Sequence, residues 1–227
     1  MPTPISKTYL IIALIGTLFL SGCATTESHR ALIPQKVESY QDTYSGEKEV
    51  LVVGRFQNRS DYLQGIFSSN VDKLGNQAKT ILKTHLHQTN RFGVVDRENM
   101  ERLQKESALS GVEQSLIGAK FAVTGDVTEF GRKNTGDRQL FGILGKGKTQ
   151  AAYAKVSLQV VDVRTSEIVY STQGAGEYTL NNREVVGFGS TAAYDATLNG
   201  KVLNLAITEA VNNLVRDIDL GIWLVKQ

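Results

Sequence analysis

Residues 142–149, GILGKGKT, match the phosphate-loop pattern G-x-x-x-x-G-K-[ST] at every defined position. Whether the stretch is such a loop decides the fold. In a phosphate loop a buried strand enters the glycine turn and a helix begins at the Lys-Thr pair, so that backbone N–H groups and the helix dipole converge on phosphate. Upstream here lies EFGRKNTGDRQL (residues 129–140), polar and rich in turn formers. Downstream, Ala151 to Val163 alternates at period two, as a strand does. Both flanks predict a glycine-rich strand or loop and no nucleotide site. Phe141, Ile143, Gly145, Gly147, Thr149, Ala151 and Tyr153 share one side of such a strand, and Lys146, Lys148 and Gln150 the other. This alternation fits a wall between lipid and water, the weak signature of a transmembrane barrel, and equally fits an amphipathic strand on a soluble sheet.

Outward from this stretch the chain alternates between the two hydrophobic periods. Val50 to Phe56 (VLVVGRF) is a β-branched run and predicts a buried strand. Leu74, Ala78, Ile81, Leu82 and Leu86 mark one face of a helix from about Asn70 to His87. Phe92 to Asp96 predicts a short strand leading to a helix over about Arg97 to Ser107. Phe121 to Val127 and Ala154 to Val163 predict strands, with Arg164 to Glu167 as a hairpin turn into a strand over Ile168 to Thr172. Leu203, Ile207, Val211, Leu214, Val215 and Ile218 stripe a final helix, with Asn199 as a candidate cap. The class is α/β or α+β, one domain, a sheet flanked by helices.

The beginning of the chain predicts its compartment. A short polar segment containing Lys7 precedes a twelve-residue apolar run, Tyr9 to Leu20, and then Leu20-Ser21-Gly22-Cys23. The run has the length of a signal-peptide core. The tetrad is similar to a bacterial lipobox, which makes residues 1–22 a leader and Cys23, the only cysteine in 227 residues, the lipidation site. Each buried acyl methylene contributes about 0.8 kcal/mol, so a multiply acylated (diacylglyceryl, palmitate-type) cysteine holds a domain at a membrane. Ala24-Thr25-Thr26 follows in place of the Asp that retains similar lipoproteins in the inner membrane, which points to the outer membrane. Residues 23–48 read as a tether, since Ser28 to Lys48 lacks apolar periodicity, and residues 49–227 as the folded domain.

Cleavage removes Lys7 from 25 basic residues and leaves 24 against 23 acidic ones. That balance suggests neither nucleic-acid binding nor polybasic attraction to a membrane. Catalysis finds no support either. His85 and His87, two of only three histidines, stand two apart on a helix and point different ways, so they do not form a metal pair. Asp96, Glu98 and Glu101 read as the polar first turn of a helix. No cofactor is expected.

Several blocks together resemble the CsgG family, the outer-membrane lipoproteins of curli secretion. They are the lipobox, Phe92-Gly-Val-Val-Asp-Arg97, Ala119 to Gly125 (AKFAVTG), Phe141-Gly-Ile143, Lys155 to Ser171 (KVSLQVVDVRTSEIVYS), and Asn212 to Trp223 (NNLVRDIDLGIW). The resemblance implies a homo-oligomeric ring of subunits, each with a periplasmic α/β domain and two β-hairpins that join those of its neighbours in one outer-membrane barrel. It places the hairpins at about residues 129–154 and 174–193, with Asn181 to Glu184 as the second turn. Phe141, Ile143, Tyr153, Tyr178, Leu180 and Phe188 are then the membrane-hairpin candidates. It also implies a pore constriction in the loop Gln57 to Asn70 (QNRSDYLQGIFSSN), with Asn70, Ser69, Phe67 and Tyr62 as candidates. Ile66 and Val71 stand where the family has aromatics, and the given chain stops four residues after Trp223; both departures bear on cargo. Two functions follow. One is a passive, nucleotide-independent secretion channel for polypeptides of the curli type, assisted by accessory periplasmic lipoproteins. The other is a non-pore lipoprotein of the same fold acting as a binding or regulatory partner, as the related activators of peptidoglycan synthases do.

Overall fold

The computed structural model describes residues 35–62, 71–138, 146–184 and 198–223. Five strands form one sheet in the order β2-β1-β3-β4-β5: β1 is Glu49–Asn58, β2 Phe92–Val95, β3 Phe121–Arg138, β4 Lys146–Asp162 and β5 Ile168–Glu184. β1 runs parallel to both β2 and β3, while β4 runs antiparallel to its two neighbours, β3 and β5. The helices are α1 (Lys73–Gln88), α2 (Met100–Ser110) and α3 (Leu198–Asp219).

The core lies between one face of the sheet and the apolar stripes of α1 and α3. Leu51, Val53, Phe56, Val123, Val127, Val156, Leu158 and Val160 meet Leu74, Leu82, Leu86, Leu203, Ile207 and Leu214 there, all buried. The alternation of buried and half-buried positions along β1, β3 and β4 follows from the two-residue side-chain period of a strand. α3 comes unusually close to β5 because Gly174 and Gly176 face it. A Cβ on Gly174 would stand 2.5 Å from the Ala210 amide, and one on Gly176 would stand 2.6 Å from Leu205 Cβ. α2 buries none of its residues and ends at Gly111, whose φ of 67° is the left-handed helix terminus that glycine adopts without strain.

The predicted elements appear with shifted bounds. The helix expected to open at Asn70 starts at Lys73, after the Asp72 cap, and the one expected from Arg97 starts at Met100. Asp96 and Glu98 therefore precede α2 rather than forming its first turn. They pair instead with Lys79 and Lys83 of α1. The Asn99 amide holds the Asp96 carboxyl below its usual range, and the two lysines do the same for Glu98. Asn199 is not a cap: it lies within α3, and its side-chain oxygen accepts from Arg132 Nε at 2.9 Å. The stretch read as the end of a tether is docked. Val37 is buried, the Glu38 amide donates to Asn212 Oδ1 of α3 at 3.1 Å, and Asp42 lies 3.8 Å from Arg91.

The largest departure is strand length. β3, β4 and β5 run past the end of β1, whose last partner on β3 is Val127, as far as Arg138, Lys146 and Glu184. Asn181 to Glu184, expected as a turn, are strand residues paired with Thr149 to Lys146. The result is a three-stranded stem that rises out of the domain.

Candidate functional site: the stem and the segment at its base

Two bulges mark the level at which the stem leaves the domain, between Val53 and Phe56 in β1 and between Val127 and Glu129 in β3. Bulges re-aim a strand and raise its twist. From there the stem is braced from both sides. On the β1 side the Arg59 amide donates to Val127 O at 2.9 Å, and the Arg59 side chain donates to Asp126 at 3.0 Å. The Tyr62 ring lies 4.6 Å from the Phe130 ring. On the α3 side, Arg132 bonds Asn199 and Lys201 Nζ stands 5.0 Å over the Tyr178 ring. Gly131 faces Tyr153 across the β3–β4 ladder, and a Cβ on it would lie 2.6 Å from that ring, so the aromatic covers the glycine.

These contacts place those candidates that fall among the described residues. Tyr62, expected at a constriction, is half-buried against the stem base. Tyr153 and Tyr178, both membrane-hairpin candidates, occupy opposite faces of the sheet. Tyr178 sits opposite the fully buried Ala152 and packs on the core, while Tyr153 is 48% exposed on the other face. Leu180 lies on β5 in register with Gln150, on the Tyr178 face. Cys23, Phe67, Ser69, Asn70, Phe141, Ile143 and Phe188 fall outside the described residues.

Register also sorts the stem by face. Lys133, Thr135 and Asp137 share one face with Ala151, Thr149 and Gly147 and with Thr179, Asn181 and Arg183. Asn134, Gly136 and Arg138 share the other with Gln150, Lys148 and Lys146 and with Leu180, Asn182 and Glu184. Each face carries at least three charged residues, and Ala151 and Leu180 are the only apolar members of the two sets.

The phosphate-loop match ends the same way. Lys148 and Thr149 are interior to β4, which continues to Asp162, so the helix N-terminus that would bind phosphate is a β-ladder instead. His85 and His87 diverge as expected. His85 is 2% exposed with Nε2 2.8 Å from Asn204 Oδ1 of α3, whereas His87 faces solvent. Among the described residues no group of three His, Cys, Asp or Glu side chains could hold a metal ion.

Such an arrangement belongs to the class of mixed α/β domains in which helices pack on one five-stranded sheet. The chain is a member of the CsgG family: the family model, described as curli production assembly/transport component CsgG, matches residues 35–224. Protein NMB1126/NMB1164 of Neisseria meningitidis serogroup B, whose name describes a lipoprotein, is 59% identical over 213 residues, 94% of this chain and 95% of the other. Among solved structures, lipoprotein GNA1162 of Neisseria meningitidis is 14% identical, with 77% of this chain and 99% of that one covered at a TM-score of 0.36. The PelC dodecamer of Paraburkholderia phytofirmans is 12% identical, with 80% and 93% covered at 0.35.

Sequence reasoning misses the braces. Arg59, Asp126 and Arg132 are ordinary polar letters, Asn199 draws notice only as a candidate cap, and their register across elements makes them partners. The Gly131–Tyr153 pair is open to detection, because both residues sit beside or within the alternating stretch.

Proposed function

We propose that the protein is an outer-membrane-anchored lipoprotein that works at the periplasmic face as a self-assembling, non-catalytic component of the envelope, joining copies of itself through the edges of its stem. The observation that carries this reading is the polarity of the stem on both faces. A spanning strand turns a continuous apolar face to lipid, and a Lys or Arg on that face costs about 2–4 kcal/mol at the membrane midplane. Whichever face met lipid here would bring at least three charged residues with it. Open edges support assembly. Above Val127, β3 has no neighbour on the β1 side among the described residues, and β5 ends the sheet. Unpaired strand edges of this length are templates for another strand. Anchorage is supported by the lipobox at Cys23 and by the lipoprotein name of the meningococcal relative.

A channel is the second reading, and hairpin length favours it. β3 and β4 pair from Glu129 with Lys155 as far as Arg138 with Lys146, long enough for two strands of about 9–11 residues, the number a tilted membrane strand requires. One preparation separates the two readings: lipidated protein extracted in detergent, imaged by electron microscopy and then added to planar bilayers. The assembly reading expects closed oligomers without unitary conductance. Rings that insert and conduct contradict it and establish the channel, and a monomer in both assays contradicts both readings.

A further inference from the structure

The base of the domain, the end away from the stem, turns apolar side chains to solvent. β3 begins there at Phe121, β4 ends at Asp162, β5 begins at Ile168 and α3 ends at Asp219. Trp223 lies among these ends, 5.4 Å from the Phe121 ring and 5.7 Å from that of Tyr170. Beside it Val163 and Ile168 are 54% exposed, and Leu220 and Ile222 are 67% exposed. Single exposed aliphatics are ordinary on a protein surface. Four at one end, two flanking the β4–β5 turn and two directly after α3, form a patch, and such patches mark contact with a protein or a membrane. The aspartates nearby are tied inward: Asp162 accepts the Arg164 and Thr165 amides, Asp217 the Tyr170 hydroxyl, and Asp219 the Arg91 guanidinium.

The same end receives the chain that comes from Cys23. The Glu38 amide is held by Asn212, and Asp42 lies beside Arg91, which also grips Asp219. Lys36 Nζ stands 3.4 Å over the Tyr40 ring, both side chains exposed, and a cation with an aromatic suits the headgroup layer of a bilayer. The stem leaves from the other end of α3, which runs antiparallel to β5: Ala210 faces Gly174, and Lys201 faces Tyr178. At about 1.5 Å per residue, Asp219 lies about 10 Å below Asn212 along the helix, and Asn199 about 20 Å above it. From Arg132, bonded to Asn199, the stem climbs roughly 20 Å more to Arg138 at about 3.3 Å per residue. The 12 positions from Cys23 to Gln35 span at most about 40 Å fully extended and roughly half of that as a flexible chain. The base is within ordinary reach of the anchor, whereas the stem tip demands nearly the whole extended length.

We infer that the base of the domain, through Val163, Ile168, Leu220 and Ile222, rests on the surface of the bilayer that holds the anchor, with the stem directed away from it. The inference rests on the lipid anchorage proposed above. The four side chains enter the boundary between headgroups and acyl chains, where their apolar area leaves water.

Trp223, the only tryptophan in the sequence, reports the contact without a label. Full-length lipidated protein is reconstituted into liposomes of phosphatidylethanolamine and phosphatidylglycerol, with plain or brominated acyl chains, and collected by flotation. Wild type is expected to lose roughly half of its tryptophan fluorescence in brominated lipid, because interfacial side chains reach about 5–10 Å into the headgroup and acyl boundary. A fluorophore on Ile168→Cys is expected to be quenched alike, and one on Lys148→Cys in the stem to stay bright. Leu220→Ser combined with Ile222→Ser is expected to float as wild type does and to lose most of the Trp223 quenching. Floating protein that is quenched neither at Trp223 nor at position 168 overturns the inference and leaves anchorage standing; position 168 closed to maleimide in that case assigns this end to a second copy. Quenching at position 148 in place of 168, or Trp223 quenching undiminished in the double variant, overturns it as well. Protein that does not float contradicts the anchorage reading, and the inference falls with it.

Discussion

Tyr170, Asp217 and Trp223 show how single residues lock the base of the domain. The Tyr170 hydroxyl donates to Asp217 Oδ2 at 2.6 Å, its ring stacks on Trp223 at 5.7 Å, and Trp223 meets Phe121 edge-on at 5.4 Å. Burial first, and then the bond to Asp217, push the phenol up to about 12. A folded value above the unfolded one means that the neutral phenol is what folding favours. Its contribution is therefore complete below the ordinary tyrosine value and is lost as pH rises through the folded one. Trp223 fluorescence is expected to change between about pH 10 and 12 in wild type and to lose that step in Tyr170→Phe; an unchanged step would assign it to another group. Arg91, 7% exposed, is the second lock. Its Nε and Nη2 donate to Asp219 at 3.0 and 2.6 Å, and its Nη1 donates to Thr89 O. Asp219→Asn is expected to destabilise the domain by about 2 kcal/mol, the usual scale for a hydrogen bond to a charged group, as read from urea unfolding midpoints.

Among the elements, β5 and α3 approach closely at two glycines, Gly174 and Gly176. Gly174 admits the α3 backbone at Ala206 and Ala210 with no space for a methyl group. Gly174→Ala is expected to cost about 1–3 kcal/mol through overpacking, whereas Ala175→Gly, on the exposed face, is expected to cost less than about 1 kcal/mol. Equal midpoints for the two would contradict the close approach. The same contact explains which parts of the fold can be read from sequence. Stripes such as Leu203–Ile207–Val211–Leu214 announce a helix and its buried face, and VLVVGRF announces a strand, because local period is all either inference needs. The polar run 131–138 and Asn181 to Glu184 announce turns by composition, yet they are strands because β4 offers an unbroken ladder to both. Tertiary pairing overrides local preference there. The relation between Tyr153 and Tyr178 is illegible for a related reason: parity within a single strand is visible, but the register that puts Tyr178 opposite Ala152 is not.

At the scale of the molecule, the structure joins a one-sided α/β body to a stem with polar residues on both faces, and the chain's family membership spans residues 35–224. The central claim is that this stem stands in water. Cys23 is the sole native cysteine, and in the lipid-anchored form proposed above its sulfur is blocked, so a single introduced thiol can be labelled cleanly. Thr135 and Thr149 lie on one stem face, Gly136 and Lys148 on the other. Each is replaced by Cys in turn, in outer-membrane vesicles opened to the periplasmic side. The measurement is reaction with a membrane-impermeant maleimide, followed by quenching of an attached fluorophore by brominated lipid. All four positions are expected to react at similar rates and to escape quenching. Slow labelling with strong lipid quenching on one face, and rapid labelling without it on the other, would show a barrel wall and contradict the account.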